Sequence, residues 1–175
     1  MEPNKQNALI IALFAAYFLL LIGIILFKLP FYSPVADERA INLIPLLGSF
    51  DENGVLVLRE IVYNILLFVP LGVYICMIKS DGSFRKRVVP IVGLSLAFEI
   101  IQFIFALGRS DITDVIGNTL GGIIGIGVYA LLSRIFKSRT VKIVKALALI
   151  VTVCVAARFI HLFYLSNFVM MRPSL

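Results

Sequence analysis

Glu99 and Gln102 stand three residues apart inside an apolar run, and the polar stretch Arg109-Ser110-Asp111-Ile112-Thr113-Asp114 leads from there to Asn118 inside the next run. Residues three apart on a helix share a face, so the carboxyl and the amide of the first run point the same way. Groups of this kind are costly to leave in hydrocarbon, roughly 2.5 to 3.5 kcal/mol for a central Asp, Lys or Arg on insertion scales. Each therefore needs a partner, and the stretch is the candidate site. Together with Asn64 from an earlier run, these amides and Arg109 suit recognition of peptide or phosphate groups. A different chemistry is open to the carboxyls. Glu99 could act as a general acid or base, with Asp111 and Asp114 offering oxygen ligands to a divalent cation. The sequence supplies no nucleophile paired with a base, no histidine cluster and no phosphate-binding glycine loop between strand and helix, so a binding role is favoured over catalysis.

Each residue also has a structural reading. Asp111 and Asp114 sit at cap spacing, where acidic side chains accept from the first free N–H groups of a helix and complement its dipole. Gly117, Gly121 and Gly125 form a ladder four residues apart, which lets another helix approach closely; packing is the reading adopted for it. Pro70 is read as shaping its helix. Arg158 is expected to snorkel to the headgroups from the end of the last run, and a lone His161 points to nothing catalytic. Cys76 and Cys154 lie in apolar runs without a second cysteine or histidine at metal spacing. No metal or cofactor is expected.

The elements that must hold these residues are membrane helices. Hydrophobic residues make up 61% of the 175, and the mean hydropathy is +1.04, far above soluble usage. A bilayer core needs about 20 apolar residues in a helix. Five runs qualify, at about 8–27, 59–78, 88–107, 115–135 and 143–165. Lipid offers no partner to free backbone groups, and strand alternation is absent. The expectation is an all-α integral membrane bundle, one domain over 1–175. The first run is too long for a signal-peptide core and lacks a small-residue cleavage site, so it is expected to stay. The connection 28–58, with Pro30, Pro34 and Pro45, is too apolar to be freely solvated. It is expected to cover the bundle at the outer leaflet, with a turn at Asn53-Gly54.

Short loops rich in lysine and arginine lie on the cytoplasmic side. Lys79, Arg85, Lys86 and Arg87 mark one such loop, and Arg134, Lys137, Arg139, Lys142 and Lys145 mark another. The connection from Lys28 to Glu60 instead carries acidic Asp37, Glu38, Asp51, Glu52 and Glu60. The resulting topology has a cytoplasmic N-terminus and an extracellular C-terminus. On that topology Glu99 lies about 12 Å, and Gln102 about 8 Å, inside the outer end of its run. Asn64, Glu99, Gln102, Arg109, Asp111, Asp114 and Asn118 then all fall in the outer half of the bilayer or at its surface. One-sided polarity argues for an outward-facing polar cavity, and against a proton or ion relay, which needs titratable groups along a path. The net charge of +6 sits in short clusters between apolar runs, which suits anionic membrane lipids rather than nucleic acid.

Ser95-Leu96-Ala97-Phe98-Glu99-Ile100-Ile101-Gln102-Phe103-Ile104-Phe105-Ala106, then Asp111-Ile112-Thr113-Asp114-Val115-Ile116 and Asn118-Thr119-Leu120-Gly121-Gly122, resemble the motif series of the VanZ-like membrane proteins. Asn42-Leu43-Ile44-Pro45 and Asn64-Ile65-Leu66-Leu67-Phe68-Val69-Pro70-Leu71-Gly72 resemble that family's upstream blocks, and the likeness runs from about Phe27 to Gly125. The resemblance adds Asn42 to the candidate residues and matches Arg109 to a common basic position. It implies a multi-pass protein of the bacterial plasma membrane associated with low-level resistance to teicoplanin, an acylated glycopeptide. The expected ligand of the cavity is a lipid-linked cell-wall precursor, a lipid headgroup or the drug. The alternative is an intramembrane enzyme acting on a lipid or lipid-linked substrate, with Glu99 as general acid or base beside Asp111 and Asp114. Oligomeric state stays open.

Overall fold

A backbone in hydrocarbon must satisfy its own N–H and C=O groups, and the computed structural model does so with α1 (Lys5–Leu26), α2 (Leu58–Ile78), α3 (Phe84–Ile104), α4 (Ile112–Phe136) and α5 (Thr140–Tyr164). It describes residues 5–26, 40–50, 54, 56–78, 82–107 and 109–164. Outside these lie Pro30, Pro34, Asn53 and Lys79, the acidic residues Asp37, Glu38, Asp51 and Glu52 of the long connection, and the side chain of Arg158. Four helical stretches are long and apolar enough to cross a membrane: Ala8–Leu26, Leu58–Ile78, Phe84–Ile104 and Ile112–Ala157. The last runs through the 3-10 turn Lys137–Arg139 between α4 and α5.

Helix is not the whole of the described fold. β1 (Ile41–Asn42) pairs in parallel with β2 (Ser110–Asp111), Ile41 opposite Ser110 and Asn42 opposite Asp111. The Ser110 N–H extends the pairing to the Ala40 carbonyl at 3.0 Å. Strands of two residues are too short for an alternating pattern to register, which is why the all-helical expectation omits them.

The chain forms two compact units, one containing α1 and α5, the other α2 to α4 with both strands. In the first, α1 buries Ile10, Leu13, Tyr17, Leu21 and Ile25, a stripe at helical spacing. In the second, α4 packs chiefly on α2 and secondly on α3. Glycine sets how closely. A Cβ at Gly121 would fall on the Ile65 carbonyl, one at Gly125 on the Val69 carbonyl, and one at Gly72 on the Gly122 carbonyl. The two backbones touch where side chains would otherwise hold them apart. Phe68 and Phe98 meet edge to face at 6.3 Å nearby, both buried.

α3 ends in a capped turn. Ala106 takes φ +51, its N–H reaching the Phe103 carbonyl at 3.3 Å while the Leu107 N–H reaches the Gln102 carbonyl at 2.9 Å. This paired arrangement is a Schellman motif, which satisfies the last carbonyls of a helix. It stops α3 at Ile104, three residues short of the apolar run. Glu99 is therefore only about 7.5 Å, and Gln102 about 3 Å, from the helix end, shallower than the hydropathy count suggests.

Two glycine substitutions separate packing from propensity. Gly121→Ala should lower stability by about 1–3 kcal/mol through overpacking. Gly93→Ala in α3, where nothing lies within 4 Å of the new Cβ, should raise it by about 0.5–1 kcal/mol. Thermal unfolding of the purified variants in detergent checks both.

Candidate functional site

The first turn of a helix leaves N–H groups without intrahelical acceptors, and the start of α4 draws three other segments of its unit to itself in meeting that need. Asp111 is the N-cap, with Oδ1 accepting from the Thr113 N–H at 2.8 Å. Its Oδ2 accepts from Asn42 Nδ2 at 2.9 Å. Its own N–H donates to Glu99 Oε2 at 2.9 Å, and the preceding Ser110 hydroxyl donates to the Glu99 carbonyl at 2.7 Å. Glu99 thus grips both residues of β2 from the last turns of α3.

The segment after β1 is tied to the same place. Asn42 Oδ1 accepts from the Ile44 N–H at 3.1 Å, an Asx turn. Two residues on, the Leu46 N–H donates to Thr113 Oγ1 at 2.9 Å. Leu46 has φ +68 and leads into the 3-10 turn Leu47–Ser49. Gly48 lies directly over the cap: a Cβ there would stand 2.5 Å from Asp111 Oδ2, 3.4 Å from Asn42 Nδ2 and 3.7 Å from Arg109 Nη2. Any side chain at 48 would displace the carboxylate that holds the loop.

Deeper along α4, Asn64 Nδ2 of α2 donates to Asp114 Oδ1 at 2.6 Å. Below that, Asn118 Nδ2 donates to the hydroxyl of fully buried Ser95 on α3 at 2.9 Å. Asn118 Oδ1, in a side chain only 1% exposed, has no partner among the described residues. Gln102 is buried beside the end of α3.

The candidate residues therefore divide by role. Asn42, Glu99 and Asp111 form one connected network; Asn64 with Asp114, and Asn118 with Ser95, tie α4 to α2 and α3. Arg109 alone among the eight polar candidates is exposed. Gly117, Gly121 and Gly125 lie along the face of α4 that meets α2. Asp111 spends both carboxylate oxygens on cap and loop. Among the described residues no group of three or more His, Cys, Asp or Glu gathers in a way that could hold a metal. His161 is exposed, on α5.

Sequence reasoning missed Ser95, Ser110, Thr113, Gly48 and Gly72. Ser95 was within reach, since 95, 99 and 102 share one helical face. Gly48 was not, because two of its neighbours, Arg109 and Asp111, come from a segment more than sixty residues away in sequence.

Around the network the surface is apolar. Leu43, Ile44, Leu47 and Phe50 of the loop are exposed, as are Ile104 and Phe105 at the end of α3. The segment hides its polar groups against α4 and turns its hydrocarbon outward, the reverse of a soluble loop.

Comparison with known proteins gives two matches. The VanZ/LLP1 family model matches residues 14–134. Over 126 residues the chain is 37% identical to Protein VanZ of Enterococcus faecium, covering 70% of this chain and 74% of that protein. No solved structure matches.

Replacing Glu99 tests the hub. Glu99→Leu takes the acceptor from the Asp111 N–H and should cost about 1–3 kcal/mol, while Glu99→Gln keeps an acceptor oxygen and should cost less. Ranking the melting temperatures of wild type, Glu99→Gln and Glu99→Leu in detergent measures the difference.

Proposed function

The chain belongs to the VanZ/LLP1 family, and from that premise we propose that it is a multi-pass protein of the bacterial plasma membrane that lowers susceptibility to teicoplanin. In this reading five spans cross the bilayer with the N-terminus inside and the C-terminus outside. The beginning of α4 and the loop fastened to it lie at the outer leaflet. There they engage an amphiphile: a lipid headgroup, a lipid-linked cell-wall precursor or the acylated drug.

One observation carries the proposal. A loop with exposed Leu43, Ile44, Leu47 and Phe50 is fastened to a buried polar network at a helix start. Apolar side chains beside a polar, cationic centre match the two halves of an amphiphile. A soluble ligand would gain nothing from the apolar rim, and a pump would need polar groups further along the helices.

Chemistry by Glu99 is the lesser reading. Its Oε2 accepts from the Asp111 N–H and Asp111 is committed to the cap, so both carboxyls already serve in building the site.

The test is expression in a teicoplanin-susceptible Gram-positive host. The expected outcome is a larger rise in the inhibitory concentration of teicoplanin than of a glycopeptide without an acyl chain. Equal rises for both drugs, or none for either, contradict the proposal.

A further inference from the structure

Within the outer-face reading, on which this inference rests, the polar residues are not equivalent. Asn42, Asp111, Asn64, Asp114 and Asn118 all make side-chain hydrogen bonds inside the protein, and Asn42, Glu99, Gln102 and Asn118 are buried. Those side chains are turned into the protein and build the scaffold. Arg109 differs in every respect. It is exposed, it stands in the connection between α3 and α4 immediately before β2, and its Nη2 lies over Gly48, 3.7 Å from where a Cβ would be. Among the described residues it makes no ion pair, and Asp111, its nearest acid in sequence, has both carboxylate oxygens engaged by Thr113 and Asn42.

We propose that Arg109 is the recognition group for the phosphate of an anionic membrane lipid, with Gly48 keeping the approach to it open. A guanidinium presents a planar fork of donors that matches phosphate oxygens two at a time. Beside the hydrocarbon of a bilayer that pairing is less screened than in water. The flanking side chains select the lipid form of the ligand. Leu47, Phe50 and Phe105 are exposed near the same end of the unit, where acyl or prenyl chains continue from a headgroup held by the arginine. The bare α-carbon of Gly48 matters twice, since a side chain would push on Asp111 and also intrude beside the guanidinium.

The experiment uses the full chain in phosphatidylcholine nanodiscs, probed with phosphatidylglycerol, a polyprenyl phosphate and inorganic phosphate. Bound probe is counted by native mass spectrometry. Wild type should retain at least one of the two anionic lipids over inorganic phosphate. R109Q should weaken that retention about tenfold, the loss of one charge-assisted pair. R109K, which keeps the charge but not the fork, should fall between them. R134Q, at the other end of α4, controls for general attraction to a basic protein and should bind as wild type does. R109Q binding like wild type, R134Q losing as much as R109Q, or inorganic phosphate binding as well as the lipids would each overturn the proposal. The two readings fail separately. Lipid retention unchanged by R109Q, with teicoplanin protection present, contradicts this inference alone, whereas Arg109-dependent lipid retention without any protection contradicts the resistance reading alone.

Discussion

A carboxylate on one helix accepting the backbone N–H at the start of the next is the interaction from which the site follows. Glu99 Oε2 meets the Asp111 N–H at 2.9 Å, and this fixes where α4 begins relative to the end of α3. Asp111 is then free to use its side chain outward, one oxygen capping α4 and the other holding Asn42. Remove the first bond and the second and third lose their anchor. Buried polar networks of this kind stabilise only when their members are satisfied together. A partly satisfied one is worse than an apolar core.

The network works because the helices beneath it are held at close range. Backbone-to-backbone contact between α2 and α4, through Gly72, Gly121 and Gly125, brings Asn64 within reach of Asp114. In lipid no hydrophobic force drives helices together, so close packing and interhelical hydrogen bonds carry the association. Here the two reinforce each other along one face of α4. The loop after β1 exploits that rigidity. It places polar backbone against Thr113 and Asn42 and leaves leucine, isoleucine and phenylalanine at its surface, which suits a segment lying at a membrane boundary.

Much of this was legible in the residues. Long apolar runs identify the helices because lipid permits little else, and Asp111 announces a cap by its type and its place before an apolar stretch. The glycine ladder on α4 is likewise visible at fixed spacing. What the sequence does not display is anything set by distant pairing. The strands β1 and β2 are sixty-nine residues apart and two residues long, so neither carries a pattern. Gly72 and Gly48 look like ordinary glycines until the backbone or carboxylate pressing on each is known. The end of α3 eluded hydropathy for a related reason: Phe105, Ala106 and Leu107 are apolar enough to continue the run, and only the Schellman turn shows that the helix has stopped. The sequence treats Glu99, Asn64 and Asn118 as one set, whereas hydrogen bonding distributes them among three neighbouring groups, Glu99 with Asp111, Asn64 with Asp114 and Asn118 with Ser95.

The functional account depends on which side of the membrane this end of the molecule faces. With Cys76 and Cys154 replaced by alanine, single cysteines at Arg109 and Ser83, both exposed positions, can be challenged in intact cells with a membrane-impermeant maleimide. The account predicts that the cysteine at 109 reacts from outside while the one at 83 reacts only after the cells are permeabilised. Labelling of position 83 in intact cells with position 109 protected would contradict it.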